Sequence, residues 1–307
     1  MSKVVVVKFT DRESNGHYNR EEYRLLLQTG LKAVAEETNA YFAMKKVIPK
    51  GVIGMKTNCL TGRLLSTPVV LTEALTEILT SNGHINDNNI IIWDRTNREL
   101  SGAGFKLNAS SFGVRCLGTD TNGIGYDDNF ETYGEVSTRI SRLLTTIVDY
   151  NINLPILKDH SLAGLSAGLK NMYGAIFNPN KYHDNHCTPY AAHVSSLATI
   201  KRKNCLTIID AVRVQYNGGP GFIGEYQVSY GGLILSCDPV SADRIGLEIV
   251  QGLRLKNNLP PLEKAGRPVK YLAVGEEIGL GMADLSKIDL TVLNLDHNGN
   301  AKTGELF

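Results

Sequence analysis

VIGMKTNCLTGRLLSTPVVLTEALTEILTSNGHINDNNIIIWD, residues 52–94, contains one full strand–loop–helix–strand unit. Val52 to Thr57 is short and apolar, in the manner of a strand buried on both faces. A polar loop follows from Asn58. Thr67 stands where it can cap a helix and Pro68 suits the first helical position, so the spacing predicts a helix over Val69 to Thr80. Asn82-Gly83 ends it. Asn89 to Asp94 (NIIIWD) is a second strand of the buried type, finishing on an aspartate.

The same alternation extends outward. Val4 to Phe9 is a run of β-branched residues, and Arg20 to Glu36 places Tyr23, Leu26, Leu27, Leu31, Val34 and Ala35 at helical spacing. Arg98 to Gly104 reads as a short helix, Val114 to Leu117 as a strand and Thr119 to Asn129 as a polar loop. Ser141 to Asp149 reads as a helix or a strand flank, and Asn153 to Leu157 as a strand. Cys205 to Asp210 repeats the NIIIWD pattern, and a turn-dense loop follows. Strands are predicted at Gly232 to Cys237, Val269 to Val274 and Asp289 to Leu295, with a helix over Val240 to Leu253. The fold class is therefore α/β, a mostly parallel, Rossmann-like sheet with helices on both faces. Residues 1–307 form a single domain, with an optional cleft between an N-terminal lobe (about 1–150) and a C-terminal lobe (about 151–307). Ligands in such sheets bind outside the carboxyl ends of the strands. Lys56-Thr57-Asn58, Asp94-Arg95, Lys158-Asp159-His160, Asp210 and Asp238 fall at those ends and are expected to converge in part.

The composition, 42% hydrophobic and 21% charged, is that of a folded protein. A formal charge of +1 argues against a nucleic-acid partner. Five scattered cysteines with no CxxC pair give no iron–sulfur or zinc-ribbon motif, and reduced thiols fit a cytoplasmic protein. MSKVVVVKFT reads as a first strand and no stretch is long enough to span a membrane. A cytoplasmic location is expected, an exported mature form with its signal removed being the alternative.

Three stretches carry candidate chemistry. In KTNCLTGRLLSTP, Lys56, Asn58, Arg63, Ser66 and Thr67 lie before a helix start, where amide N–H groups favour an anion. An ordinary capped loop explains the same residues. Lys158 to His186, KDHSLAGLSAGLKNMYGAIFNPNKYHDNH, breaks its small-residue run with His160, Lys170 and Asn171. His160 is the expected acid/base and Lys170 the expected stabiliser of negative charge. Three histidines, His183, His186 and His193, follow closely, and His186 is the candidate ligand for a divalent metal, nickel or zinc. Asp94 and Arg95 complete the expected substrate contacts.

VIGMKTNCLTGRLLSTP, NNIIIWDRTNRELSGAGF, VRCLGTD, LKDHSLAGLSAGLKNMYGAI, IIDAVRVQYNGGPGF, LILSCDPVSADRIG and YLAVGEEIGLGMADLSKIDL resemble, in order, the family catalogued as domain of unknown function 362. That resemblance implies an α/β fold. Some relatives resemble iron–sulfur proteins with a ferredoxin-like segment, and some carry twin-arginine export signals. His160, the run Ala163 to Lys170 and Asn185-His186 are also similar to the amino-terminal domain of nickel-pincer lactate racemases. By that likeness His160 is an acid/base, Lys170 the cofactor-attached lysine and His186 a metal ligand. The racemases' Asp-Lys-Thr-Arg run is Met55-Lys56-Thr57-Asn58 here, and their Gly-Thr-His is replaced by Asp94-Arg95. The second catalytic histidine is thus missing, and two-base racemisation lacks one base.

The expected function is an enzyme, isomerase-like or redox-linked, that binds a small anionic carboxylate or phosphate in a strand-end cleft with metal-assisted acid/base chemistry. The alternative is a non-catalytic redox or metal accessory protein. A homo-oligomer or a ferredoxin-like partner fits the resemblance.

Overall fold

The structure is a computed structural model that describes residues 1–9, 17–296 and 298–307. Its strands are β1 (Ser2–Phe9), β2 (Ile53–Lys56), β3 (Ile90–Asp94), β4 (Arg115–Gly118), β5 (Tyr126–Tyr133), β6 (Val136–Ser141) and β7 (Tyr150–Asn153). They continue as β8 (Ile156–His160), β9 (Gly164–Ser166), β10 (Asn204–Gln215), β11 (Gln227–Ser236), β12 (Ile288–Leu295) and β13 (Ala301–Thr303). Eleven of them form one sheet in the order β13-β12-β1-β11-β10-β7-β2-β3-β4, with β8 and β9 branching from β10. The run β10-β7-β2-β3-β4 is parallel throughout. Antiparallel β11 is inserted between β1 and β10. The sheet takes strands from both 1–150 and 151–307 and is continuous across them.

The helices are α1 (Arg20–Ala35), α2 (Ala40–Val47), α3 (Val69–Thr80), α4 (Asn97–Ala103), α5 (Gly168–Asn171), α6 (Tyr190–Ser195), α7 (Ala198–Lys203), α8 (Pro239–Lys256) and α9 (Tyr271–Glu277). They cover both faces, because the central strands bury both sets of side chains. In β1, Val4 and Val6 join one core while Val7 and Phe9 join the other. β3 splits likewise, Ile91 and Trp93 against Ile90 and Ile92. One core takes Leu26, Leu27 and Leu31 of α1 and Leu71 and Leu75 of α3. The other takes Ile245, Ile249 and Val250 of α8. Among the described residues no helix is long and apolar enough to cross a membrane.

Three readings are corrected. Val269 to Val274, expected as a strand, runs into α9 from Tyr271 on, where Tyr271, Leu272 and Gly275 are buried at helical spacing. The loop expected over Thr119 to Asn129 runs into β5, which pairs with β6 as a separate hairpin. Thr67 does not cap α3. The cap position is Pro68, which offers no side-chain bond. The Thr67 hydroxyl instead donates to Leu154 O at 2.6 Å and accepts from Asn58 N at 2.8 Å, pinning the β2–α3 loop to the strand next door.

Candidate functional site

The carboxyl ends of β2, β3 and β8 meet the end of α5 around a cavity of about 280 Å³. Each strand delivers its last residues there. In β2, Ile53 and Met55 enter the α1/α3 core, so period-two alternation turns Lys56 the other way. Lys56 is buried and paired with Asp94 at the end of β3, Nζ to Oδ1 2.7 Å. It also donates to Thr57 O at 2.6 Å and to Asn171 Oδ1 at 3.3 Å. Asp94 is fixed in turn by the amides of Cys59 and Arg95, each at 2.7 Å. Gly174 closes over this pair. A Cβ there would lie 2.8 Å from Lys56 Nζ, so only glycine permits the approach.

In β8, Lys158 and His160 share one side of the strand and Asp159 takes the other. Asp159 is buried away from the cavity, pairing with Arg267 and accepting from Gly219 N at 2.7 Å. The β8–β9 turn requires Gly164 at φ +75, where a Cβ would meet Arg267 O at 2.5 Å. This turn sets His160. Its Nδ1 accepts from the amides of Leu162 (3.1 Å) and Ala163 (3.2 Å), so the ring proton sits on Nε2. Burial, with Lys170, His183 and Lys158 nearby, pushes the His160 pKa down to about 3. The imidazole is neutral and presents an N–H donor to the cavity.

Lys158 and Lys170 are both buried. Burial pushes each ammonium down to about 8. Among the described residues neither has a carboxylate partner. Lys158 donates to Thr61 Oγ1 at 3.3 Å and Pro220 O at 3.2 Å. Lys170 lies over the Tyr173 ring at 3.8 Å and meets His183 Nε2 at 2.9 Å. His183 Nδ1 faces Pro179 O at 3.1 Å and must donate to it, so Nε2 is left to accept from Lys170. Of the charged groups around the cavity, Lys56, Arg95, Lys158 and Lys170 are cationic, and Asp94 and Glu99 anionic. Arg95 and Glu99 form an ion pair with each other. Two buried ammonium groups remain.

The family described as a domain of unknown function (DUF362) matches residues 53–248, well over half of the chain. The chain belongs to DUF362. The matched segment runs from β2 into α8 and contains every residue around the cavity. A crystal structure of a protein from Thermotoga maritima is similar at 12% identity and a TM-score of 0.44, over 78% of this chain and 59% of that one. No curated protein matches.

Within the DUF362 chain, the sequence-predicted residues divide. Lys56, Asn58, Asp94, Arg95, His160, Lys170 and Asn171 come together at the cavity. Arg63, Ser66 and Thr67 do not. They border a second cavity of about 330 Å³ beside α1 and α3. His186 is at neither; it lies in the left-handed stretch Asn185–Cys187, with Nδ1 at 3.0 Å from Leu162 O. His193 accepts from Glu135 N at 3.1 Å, elsewhere in the fold. Among the described residues no three His, Cys, Asp or Glu side chains are grouped to hold a metal ion. Sequence reasoning placed Lys158 at a strand end without giving it a role, and left Ser166 and His183 out of the site. Lys158 was findable, since it lies two residues before His160 on a strand.

Proposed function

We propose that the first cavity binds a small anionic molecule, a carboxylate or a phosphate, and performs acid/base chemistry on it. The observation that carries the reading is the pair Lys158 and Lys170, buried ammonium groups with only neutral acceptors. Unpaired buried charge is expensive, and a fold that retains it at strand ends does so for a ligand of opposite sign. Lys158 and the Nε2–H of His160 hold the anionic oxygen. Lys170, with its pKa near 8, exchanges the proton, and His183 steadies its amine. The expected roles are thereby exchanged: two backbone amides on Nδ1 make His160 a donor of charge stabilisation, and the lysine becomes the acid/base. Any metal would need ligands beyond the described His, Cys, Asp and Glu groups.

Calorimetric titration at pH 7 with inorganic phosphate, D- and L-lactate and pyruvate tests the reading. Lys158→Met and Lys170→Met should each weaken the best ligand by tenfold or more. Folded variants that bind every probe as the parent does would sink it.

A further inference from the structure

Lys170 has the surroundings of a nucleophile as well as those of a proton carrier. It is buried and borders the lysine cavity from the end of α5. Two side chains fix its amine. His183 Nε2 lies 2.9 Å from Nζ, while the Nδ1 proton of the same ring goes to Pro179 O at 3.1 Å. The ring nitrogen that faces the amine is therefore an acceptor. Burial, with Lys170 beside it, holds the His183 pKa below its ordinary value, so the ring is free to take a proton. The Tyr173 ring lies 3.8 Å from Nζ and makes a T-shaped contact with the His183 ring, centroids 5.3 Å apart. An amine touching a base that a third group orients is the arrangement of an activated nucleophile. The other two lysines around the cavity lack it. Lys56 is tied to Asp94, and Lys158 meets only a hydroxyl and a carbonyl. A lysine attacks only as the free amine, and burial without a carboxylate partner among the described residues favours that form at Lys170.

We propose that Lys170 forms an imine with a small 2-oxo acid. The proposal rests on the anion reading above, in which Lys158 and the Nε2–H of His160 hold the carboxylate and leave the carbonyl carbon to Lys170. A cavity of about 280 Å³ suits a small molecule, in which carboxylate and carbonyl are near neighbours. The free amine adds to the carbonyl carbon, and the π pair moves to the oxygen. His183 Nε2 takes one proton from the nitrogen and returns it to that oxygen. The carbinolamine then accepts from solvent the proton that the ammonium gave up on becoming an amine, and expels water. The net change is ammonium plus ketone or aldehyde to protonated imine plus water. Atoms and charge balance, and nothing is oxidised or reduced. The protonated imine draws electrons from the carbon beside it, which eases the proton transfer proposed for this cavity.

The test is reductive trapping. The full chain is incubated with glyoxylate or pyruvate and sodium cyanoborohydride, and the adduct is located by peptide mass mapping. One reduced adduct per chain is expected, on Lys170, formed at least about tenfold faster than on any exposed lysine. Lys170→Arg should remove it. His183→Gln, whose amide oxygen can accept from the amine but cannot carry its proton, should slow it about a hundredfold. Glycolaldehyde, an aldehyde without the carboxylate, separates this proposal from the anion reading and should label Lys170 far more slowly than glyoxylate does. Equal labelling by the two overturns the 2-oxo acid as substrate, and the anion reading with it. Calorimetric binding of glyoxylate or pyruvate with no adduct on Lys170 overturns the imine and leaves the anion reading standing. Neither binding nor an adduct overturns both.

Discussion

One loop serves two cavities of different chemistry. The first residues of the β2–α3 loop, Asn58 to Leu60, border the lysine cavity, and its last, Arg63 to Thr67, contribute to the arginine cavity. The lysines are buried, without carboxylate partners, and titrate near 8. Arg63 is exposed and Arg213 half-buried, and guanidinium stays charged at any ordinary pH. A buried lysine whose pKa is lowered can move protons as well as hold charge. An arginine near water can only hold charge. The difference is why the proposed proton transfer is placed on the lysine side of the loop.

The largest effect that would break this comparison is removal of the lysines. Lys158→Met and Lys170→Met together should abolish anion binding in the first cavity, about a hundredfold or more. The same substitutions should raise the unfolding temperature, because each replaces an unpaired buried charge with an apolar chain of similar length. About 1 kcal/mol per site is expected. Calorimetry for binding and a thermal melt for stability check both halves. Binding loss accompanied by a lower melting temperature would mean that the lysines hold the fold together, and the functional reading would fail.

Gly174→Ala should act next most strongly, and on one cavity only. The new methyl would sit 2.8 Å from Lys56 Nζ and 3.1 Å from Asp94 Oδ1. Lys56 is buried and cannot swing to solvent, so the pair must separate, at about 1–3 kcal/mol. A denaturant melt measures that cost. Ligand titration should show a several-fold loss at the lysine cavity.

What the sequence made legible follows from burial. Strands buried on both faces are written as apolar runs, so Val4–Phe9, NIIIWD and CLTIID could be read directly. β5 is YDDNFETY, mostly solvent-facing, and its composition is that of a loop. α9 looked like a strand because VKYLAV, apolar but for Lys270, is short enough to fit either period. Its choice is made by packing: Gly275 lets Val240 of α8 come within 2.9 Å of where a Cβ would be. At the site, ending β8 at Leu157 hid the alternation that puts Lys158 beside His160. Thr67 has the chemistry of a cap, and a carbonyl from β7's exit, Leu154 O, claims it first. His183 and His186 could not be ranked, because irregular backbone has no period to project.

pH acts on the lysine cavity more gently. A lysine with its pKa near 8 goes from about nine-tenths protonated at pH 7 to about one-tenth at pH 9. Affinity at the first cavity should therefore fall about tenfold for each lysine that the ligand needs. Stability moves the other way. Between about 8 and the ordinary 10.5 the unfolded chain holds these protons and the folded one does not, so stability rises with pH across that window. A ligand titration at pH 7, 8 and 9 reads the first effect and a urea melt the second.

The smallest expected change is none at all, and it decides what His160 does. Its Nδ1 is occupied by two backbone amides, and protonating that atom would break both bonds beside three other basic side chains. A pKa pushed down to about 3 leaves the ring neutral from pH 5 to 9. Nitrogen-15 NMR of histidine-labelled protein should show a resonance with the proton on Nε2 that does not titrate over that range. His160→Gln, which keeps a side-chain N–H donor, should then retain more of the anion affinity than His160→Ala does. A midpoint between pH 6 and 7 would give the ring back the role of acid/base and leave Lys170 to hold charge. The flat titration is thus the observation on which the exchange of roles between these two residues rests.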